Sequence, residues 1–200
     1  MSVQRPAATS GDVTVVVLAG GTSRRFGSDK LAAPLGGSTV LDTVLGSLPP
    51  QWPVVVVGPP RDCRRPVTWT REDPPGGGPL AGVAAGVDAV TTDLVAVVAG
   101  DMPYAGPAIV TLVAALRTAP VAVGAVVAVG AVVAVDAHGV ANPLLAAYRT
   151  ASVREVLPSP AANRPAKLLL AVPHLEVGVI GPAGRDVDTP ADLDDLQTPT

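Results

Sequence analysis

Residues 13–30 read Val-Thr-Val-Val-Val-Leu-Ala-Gly-Gly-Thr-Ser-Arg-Arg-Phe-Gly-Ser-Asp-Lys. The stretch opens with Val13–Val17, which has the length and the β-branched composition of a buried strand. Gly20 and Gly21 then allow a tight turn in which successive backbone N–H groups can face an anion. Positive charge is supplied by the side chains of Arg24, Arg25 and Lys30. Together these features predict a phosphate-binding loop directly after the first strand.

The spacing of the glycines separates this loop from the two commonest phosphate-binding motifs. Gly20, Gly21 and Gly27 do not fit the GxGxxG spacing of dinucleotide-binding folds, and no Gly-Lys-Ser/Thr sequence closes a P-loop. The sequence therefore predicts another type of nucleotide site.

Length and composition limit the classes of protein to be considered. With 200 residues, 48% of them hydrophobic, the chain can bury one core, and we expect a loose tail over residues 1–12 and a single domain over residues 13–200. The net charge is −3 and 2% of the residues are aromatic, so the basic surface and stacking side chains of nucleic-acid-binding proteins are missing. We expect a small-molecule nucleotide as the ligand.

Cysteine content and hydropathy favour a cytoplasmic location. Cys63 is the only cysteine, which excludes an internal disulfide and a cysteine-based metal site and fits a reducing compartment. Arg5 and Asp12 interrupt any secretory signal at the N-terminus. Residues 118–135 carry no charge, but Pro120 and the lack of flanking aromatic residues favour a buried strand region over a membrane span.

Apolar runs and capping signals predict strands that alternate with helices. The predicted strands are Val13–Ala19, Val54–Gly58, Leu94–Gly100, part of Ala131–Asp136, and segments near residues 67–68, 144–148 and 175–180. The predicted helices run from an N-cap at Ser38 to Leu48, over Gly78–Val90, over Pro107–Ala119, and onward from Thr189. This alternation predicts an α/β fold in which helices cover both faces of a mostly parallel sheet and ligands bind beyond the carboxyl ends of the strands.

A carboxylate follows directly after one of the apolar strands. Asp101 lies two residues beyond Leu94–Ala99, in the sequence Gly-Asp-Met-Pro-Tyr. A carboxylate in this position can hold Mg²⁺ through one or two oxygens while water and phosphate complete the octahedron. We therefore predict that Asp101 is a metal ligand at the same edge of the sheet as the glycine-rich loop.

The pattern LAGGxSxRxGxDK of residues 18–30 resembles the signature of nucleotidyltransferases with a glycosyltransferase-A-like, Rossmann-related fold. Within that group it resembles the molybdenum cofactor guanylyltransferases, and the resemblance extends over nearly the whole chain. It implies a single-domain, three-layer α/β/α architecture and a GTP site. The residues that it assigns to GTP are Leu18, Ala19, Gly20, Gly21, Lys30, Asp73 and Asp101.

Two further segments resemble family motifs near the nucleotide. Residues 71–82 resemble an E-D…G-P-L-A-G motif whose aspartate holds guanine, which assigns that role to Asp73. The chain departs from the family at Gly58, where members use a polar Asn after the second strand. Residues 186–193 resemble a segment of the form NxNTPEEL, which makes Asp188, in place of an Asn, the second metal ligand and leaves Asp186 as the alternative.

The acceptor site is implied by two weaker similarities. Residues 142–149 resemble the Q-P-L-x-A-x-Y-R strand of the family, with Asn142 in place of Gln. In the segment 163–167, Arg164 and Lys167 are candidates for holding the phosphate group of the acceptor.

The resemblance implies transfer of GMP from GTP to the terminal phosphate of the molybdopterin cofactor, with release of pyrophosphate. A phosphate monoester has a second pKa of about 6, so it needs no protein base, and we expect no Ser/His/Asp or Cys/His motif. The expected catalytic residues are Lys30, Arg24 (or Arg25) and Asp101, together with Mg²⁺, or Mn²⁺ in its place, on Asp101 and Asp188. These groups would supply charge neutralisation and alignment, the two main requirements of phosphoryl transfer.

Other activities remain open at this point. The Leu-Ala-Gly-Gly sequence at 18–21 favours the guanylyl branch, because the branch that uses CTP more often has Leu-Ala-Ala-Gly. Related enzymes transfer nucleotides to sugar phosphates, 2-phospholactate or methylerythritol phosphate, and a non-catalytic nucleotide-binding regulatory module would keep the same fold. Besides its substrates, the chain is expected to contact other cofactor-biosynthesis proteins or apo-molybdoenzymes transiently, and neither nucleic acid nor a membrane.

Overall fold

The valine run of the glycine-rich stretch forms β1 (Val13–Leu18), a central strand of a seven-stranded sheet. The structure is a computed structural model that describes residues 12–21, 25–121, 128–179 and 181–197. Successive side chains of a strand point to opposite faces, so Val15 and Val17 of β1 pack in one core and Val16 packs in the other. A strand that is buried on both faces needs consecutive apolar residues, which the valine run provides.

The remaining elements are given in chain order. The strands are β2 (Pro34–Leu35), β3 (Ser38–Thr39), β4 (Val54–Val57), β5 (Thr68–Thr70), β6 (Leu94–Ala99), β7 (Ala131–Val135), β8 (Ala141–Arg149) and β9 (His174–Gly178). The α-helices are α1 (Val40–Ser47), α2 (Pro79–Asp88), α3 (Gly106–Thr118), α4 (Thr150–Val156) and α5 (Pro190–Gln197). Short 3-10 helices cover Lys30–Ala32, Ala166–Ala171 and Gly181–Gly184.

The strand order across the sheet is β5-β4-β1-β6-β8-β7-β9. β1 pairs in parallel with β4 and β6, β5 is parallel to β4, and β9 is parallel to β7, whereas β8 is antiparallel to both β6 and β7. The strands β2 and β3 form a separate hairpin. The predicted mostly parallel sheet is confirmed, since β8 is the one strand of the described sheet that runs against the others.

Helices cover both faces of the sheet, as expected. Residues of α1, α3 and α5, such as Leu41, Ile109 and Leu193, pack with Val15 in one core. Residues of α2 and α4, such as Leu80 and Val153, pack with Val16 in the other. This arrangement is the predicted three-layer α/β/α architecture.

Glycines on α2 allow that helix to approach β1 closely. A Cβ on Gly86 would lie 2.4 Å from Val16 Cγ1, and a Cβ on Gly82 would lie 3.3 Å from Leu18 Cδ2. Real Cβ atoms do not approach side-chain carbons as closely as the first of these distances, so Gly86 sets how near the helix lies to the strand. Gly82, the last glycine of the Gly-Pro-Leu-Ala-Gly run, therefore has a packing role.

Arginine side chains bind the C-termini of three helices at the amino edge of the sheet, the edge at which the parallel strands begin. The acceptors are the carbonyls of Leu45 and Leu48 for Arg65, of Val87 and Val90 for Arg154, and of Leu116 and Ala119 for Arg149. The last carbonyls of a helix have no partner within the helix and carry its partial negative charge. Each guanidinium therefore satisfies these groups and stabilises the end of α1, α2 or α3.

Some local predictions differ from the structure. Ser38 was predicted to cap α1 and this is wrong: Thr39 Oγ1 accepts the hydrogen bond from Asp42 N at 3.0 Å, because Ser38 is paired with Leu35 in the hairpin. The helix α4 was not predicted, since seven residues show little periodicity.

The predicted N-terminal tail, residues 1–12, falls mostly outside the described residues. Of the predicted tail, residues 1–11 lie outside the described residues, whereas Asp12 accepts from Arg117 Nη2 at 2.6 Å and from Leu94 N at 3.0 Å. Among the helices of the described ranges, none has the length and apolar character needed to cross a bilayer.

Candidate nucleotide and metal site

The glycine-rich loop and Asp101 leave neighbouring strands at the carboxyl edge of the sheet. Leu18, the last residue of β1, is paired with Ala99, the last residue of β6. Gly100 N donates to Leu18 O at 2.9 Å, and a Cβ on Gly100 would lie 2.8 Å from that oxygen. The glycine before Asp101 therefore lets the segments that follow β1 and β6 run close together. This brings the predicted metal ligand beside the predicted phosphate loop.

The glycines of the loop have different reasons for being there. Gly21 has φ +136°, in a region that residues with a Cβ rarely adopt, whereas a Cβ on Gly20 would make only ordinary contacts at 3.9 Å. Gly58, which follows β4, has φ +154°, and its Cβ would lie 2.6 Å from Ala19 O. The absence of a polar side chain at Gly58 thus has a structural reason: the loop backbone occupies that space.

Lys30 lies between the two aspartates predicted to bind the metal. Its Nζ is 2.6 Å from Asp101 Oδ2 and 3.0 Å from Asp188 Oδ1. The side chains of Lys30 and Asp101 are 17% and 20% exposed, and that of Asp188 is 42% exposed. Three charged groups from distant parts of the sequence therefore meet at one partly buried point.

The backbone around Lys30 is fixed by Asp29. Asp29 Oδ1 accepts from Leu31 N at 3.1 Å and caps the short 3-10 helix that begins at Lys30, while Asp29 Oδ2 accepts from Arg61 at 2.5 Å. The Asp-Lys pair that ends the glycine-rich stretch thus combines a positioning residue with the side chain that it positions.

Asp188 is held by the start of α5 without using its own carboxylate as the cap. Asp192 Oδ2 accepts from Asp188 N at 3.0 Å and from Thr189 N at 2.7 Å, and Asp192 N donates to Thr189 Oγ1 at 3.3 Å. The Asp188 carboxylate instead accepts from Lys30 and from Arg25 Nη1, each at 3.0 Å. Val187 N donates to Asp101 O at 2.9 Å, which joins this segment to the Asp101 turn.

The charges around Lys30 perturb the ionisable groups. Burial lowers the pKa of Lys30, but the hydrogen bonds and negative charges of Asp101 and Asp188 outweigh burial, so the pKa lies above its ordinary value. Asp186 has a raised pKa because of burial and the negative charges of Asp101 and Asp188. Negative charge is therefore concentrated here, with Lys30 as its counterion.

One oxygen at this point has no protein partner. In the described part of the chain, Asp101 Oδ1 is the buried side-chain atom left without a hydrogen bond. No group of three or more His, Cys, Asp or Glu side chains placed to hold a metal occurs among the described residues. The residues present therefore fit a cation bound by one or two carboxylates and completed by phosphate and water, as Mg²⁺ commonly is.

A cleft of about 630 Å³ opens beside Asp101. It lies beyond the ends of β6, β7 and β8, and its wall includes Asn142, as the predicted acceptor strand requires. Asn142 Oδ1 accepts from Leu144 N at 3.0 Å. Asp186 and Arg185 also line the cleft, and the sequence analysis gave no role to Arg185.

The predicted base-binding residue lies on the α2 side of the loop. The Asp73 side chain is exposed. Its neighbour Glu72 accepts from Gly76 N at 3.0 Å through Oε1, and this oxygen lies 3.9 Å from the position of a Cβ on Gly20. The segment 71–78 thus borders the glycine-rich loop on the side away from the cleft.

The predicted cations of the acceptor site are not brought to the cleft. Asn163 N donates to Gly77 O at 2.7 Å, so the segment that carries Arg164 and Lys167 packs on the glycines before α2. Both side chains are exposed and neither lines the cleft with Asn142. Arg24, the other predicted catalytic cation, lies outside the described residues, while Arg25 pairs with Asp188.

Comparison with known sequences reveals relatives that are named as molybdenum cofactor guanylyltransferases. The chain is 34% identical over 141 residues to a probable molybdenum cofactor guanylyltransferase of Chloroflexus aggregans, and the match covers 67% of this chain and 64% of that protein. It is 32% identical over 191 residues to a probable molybdenum cofactor guanylyltransferase of Deinococcus radiodurans, covering 92% of this chain and 93% of that protein. The chain thus spans less than two thirds of the Chloroflexus relative and nearly all of the Deinococcus one.

Solved structures share the fold. The structure of molybdopterin-guanine dinucleotide biosynthesis protein A from Archaeoglobus fulgidus superposes with a TM-score of 0.67 at 21% identity, covering 92% of this chain and 96% of that one. A Mycobacterium tuberculosis protein in complex with manganese superposes with a TM-score of 0.59 at 19% identity, covering 92% of this chain and 97% of that one. The glycosyltransferase-A-like architecture expected from the sequence is confirmed.

The family model of the MobA-like NTP transferase domain matches residues 15–175. This range includes most of β1, the glycine-rich loop, the Lys30–Asp101 ion pair and the strand of Asn142. The chain therefore belongs to the MobA-like NTP transferase family.

Proposed function

We propose that this protein transfers GMP from GTP to the terminal phosphate of the molybdopterin cofactor. A phosphate oxygen of the acceptor forms a bond to the α-phosphorus of GTP, the bond from that phosphorus to the bridging oxygen breaks, and pyrophosphate leaves. The observation that carries this proposal is the meeting of Lys30, Asp101 and Asp188 between the glycine-rich loop and the cleft. The relatives named as guanylyltransferases support the choice of nucleotide and acceptor.

The chain's own residues bind and align the triphosphate. The backbone N–H groups of Gly20 and Gly21 face the phosphate oxygens, and Lys30 provides a positive charge beside them. A phosphate entering the site competes with Asp101 and Asp188 for the Lys30 ammonium, so binding of nucleotide redistributes a charge that the protein already holds in place. The acceptor phosphate is already ionised near neutral pH, so no side chain is required to remove its proton.

We assign the divalent cation to Asp101 and Asp188, with Asp186 as the alternative second ligand. The buried Oδ1 of Asp101, which lacks a hydrogen bond, supports the first assignment. The carboxylate of Asp188 at 3.0 Å from Lys30 supports the second, because the same ammonium also contacts Asp101 and so holds the two carboxylates near each other. Mg²⁺, or Mn²⁺ in its place, would neutralise charge on the phosphates when bound.

Guanine is assigned to the α2 side of the loop, next to the exposed carboxylate of Asp73. A carboxylate can accept hydrogen bonds from the N1–H and the exocyclic amino group of guanine together. The backbone contact at Gly58 leaves no side chain there to read the base, which supports assigning the choice of nucleotide to the segment 71–78. We also propose that the protein acts in the cytoplasm.

Pyrophosphate release, measured with each of the four nucleoside triphosphates together with Mg²⁺ and the molybdopterin cofactor, tests the proposal. We expect release with GTP and a product whose mass corresponds to the guanine dinucleotide. A preference for CTP would overturn the assignment of the base. Binding of GTP and metal without pyrophosphate release on any phosphate acceptor would instead indicate a regulatory nucleotide-binding module.

A further inference from the structure

We infer that Arg185 binds the phosphate group of the acceptor, an inference that rests on the proposed function. The acceptor in the proposed reaction carries a phosphate monoester, which is close to a dianion at neutral pH. Such a group needs a cation near the place where it attacks. The position of this cation is what the structure adds to the proposed reaction.

The cleft beside Asp101 is otherwise acidic. Three of the residues that line it, Asp101, Asp136 and Asp186, are aspartates. In the described part of the chain, Arg185 is the only residue of that lining with a positive charge. The proposed metal would neutralise charge at Asp101, but an anionic acceptor would still meet repulsion from Asp136 unless Arg185 opposes it.

The two cations that the sequence predicted for the acceptor, both within the described residues, do not fill this role. Arg164 and Lys167 are exposed on the segment that packs against Gly77, outside the cleft lining. Lys30 is already held by Asp101 and Asp188, and in the proposed reaction it faces the triphosphate. Among the described residues, Arg185 is the cation that lines the cleft on the acceptor side of Asp101.

Arg185 is anchored through its backbone and only weakly through its side chain. Its N–H donates to Pro182 O at 3.1 Å, at the end of the 3-10 helix Gly181–Gly184, which also borders the cleft. Its Nη2 lies 3.6 Å from Asp195 Oδ2, and the two side chains are 51% and 70% exposed. A long, exposed ion pair of this kind contributes little to stability, so a phosphate dianion can draw the guanidinium away from Asp195.

The shape of the side chain also suits the ligand. A guanidinium presents parallel N–H groups that bind two oxygens of one phosphate at once, which fixes orientation as well as charge. In-line transfer needs the attacking oxygen to be held in a defined direction. Arg185 would therefore align the acceptor phosphate in addition to attracting it.

The test compares two variants that break the same ion pair. Arg185→Gln removes the cation, whereas Asp195→Asn removes its partner and leaves the cation in place. KM for the molybdopterin cofactor and for GTP, and the Kd of the cofactor by titration calorimetry, are measured for the full chain. We expect Arg185→Gln to weaken cofactor binding by about 10- to 100-fold with an unchanged KM for GTP, and Asp195→Asn to leave both unchanged or to tighten cofactor binding.

The outcomes separate this inference from the proposed function. Equal losses in both variants would show that the ion pair acts structurally, and unchanged cofactor binding in Arg185→Gln, or a loss in Arg164→Gln instead, would assign the acceptor phosphate elsewhere. Each of these three results would overturn the role of Arg185 while the wild-type protein still transfers GMP. A wild-type protein that binds GTP and releases no pyrophosphate with the cofactor would overturn the proposed function and the inference with it.

Discussion

Replacing Lys30 with methionine should destabilise the protein without ligand and strengthen its stabilisation by metal. The variant removes the ammonium that lies 2.6 Å from Asp101 Oδ2 and 3.0 Å from Asp188 Oδ1, and it keeps a side chain of similar length. Asp101 Oδ1 already lacks a hydrogen bond, and Oδ2 would lose its contact with Lys30, so neither oxygen of this carboxylate would keep a partner among the described residues. The side chain is 20% exposed, which lets water compensate only in part.

The magnitude follows from the cost of an unsatisfied buried group. Such a group costs about 1–3 kcal/mol, and a charged one lies toward the upper end, so we expect a loss of about 2 kcal/mol. For a chain of this length that corresponds to a decrease in Tm of about 4–8 °C. Transfer of GMP should fall by about a hundred- to a thousandfold, because the preorganised charge beside the triphosphate is lost.

Manganese distinguishes this explanation from general misfolding. In the wild type, a cation on Asp101 and Asp188 competes with the Lys30 ammonium for the two carboxylates, whereas in Lys30→Met this competition is removed. Thermal unfolding followed by circular dichroism, with and without Mn²⁺, should show a larger increase in Tm for the variant. A bound ligand stabilises the folded state more as its concentration exceeds its Kd, by about 2.7 kcal/mol at about 100 times Kd, and the variant should bind Mn²⁺ more tightly.

The control variant is Arg117→Met, which removes an ion pair with Asp12 between half-exposed side chains. It should change Tm little and should respond to Mn²⁺ as the wild type does. An equal response to Mn²⁺ in the wild type and in Lys30→Met would refute the idea that Lys30 occupies the place of a metal cation.

The remaining predictions concern the site and the packing. Asp101→Ala should reduce GMP transfer by about a hundred- to a thousandfold in a steady-state assay, and wild-type turnover would remove it from the mechanism. Asp188→Asn should keep the fold but weaken Mn²⁺ binding in a calorimetric titration, because a neutral amide replaces a charged ligand; unchanged affinity would favour Asp186 as the ligand. Arg65→Met should lower the free energy of unfolding by about 2 kcal/mol in urea with kcat unchanged, since its carbonyl partners lie at the opposite edge of the sheet. Gly86→Val should cost about 1–3 kcal/mol by overpacking against Val16, and an unaltered midpoint would contradict the packing role.

Much of the fold was predictable because the signals are local. The valine run of β1 and the apolar residues of β6 identify buried strands, and their alternation with helices predicts a mostly parallel sheet. The family resemblance then assigned the loop, Lys30, Asp101 and Asp188 to one predicted site. The structure brings the last three together, although Lys30 and Asp188 are 158 residues apart.

What the sequence did not reveal depends on tertiary geometry. Nothing in the residues around Lys30 shows that its ammonium pairs with both aspartates. Lys30 begins a 3-10 helix, Asp101 follows β6 and Asp188 precedes α5, so the tertiary fold must first bring these three segments together. Arg185 lacks a motif, and its position in the cleft depends on a 3-10 helix and on the bond from Val187 N to Asp101 O. Arg164, by contrast, matched a plausible pattern but lies on a segment that packs against Gly77.

The arginines that bind the ends of α1, α2 and α3 stabilise the fold at the edge of the sheet opposite the candidate site. Arg65, Arg149 and Arg154 bind the ends of three helices where the parallel strands begin, and the proposed substrate site lies where those strands end. The contacts that stabilise the helix ends and the residues proposed to select substrates therefore lie at opposite edges of the sheet. Substitutions in the loops at the carboxyl edge can therefore alter the proposed substrate site without disturbing the arginine contacts that stabilise the helices at the amino edge.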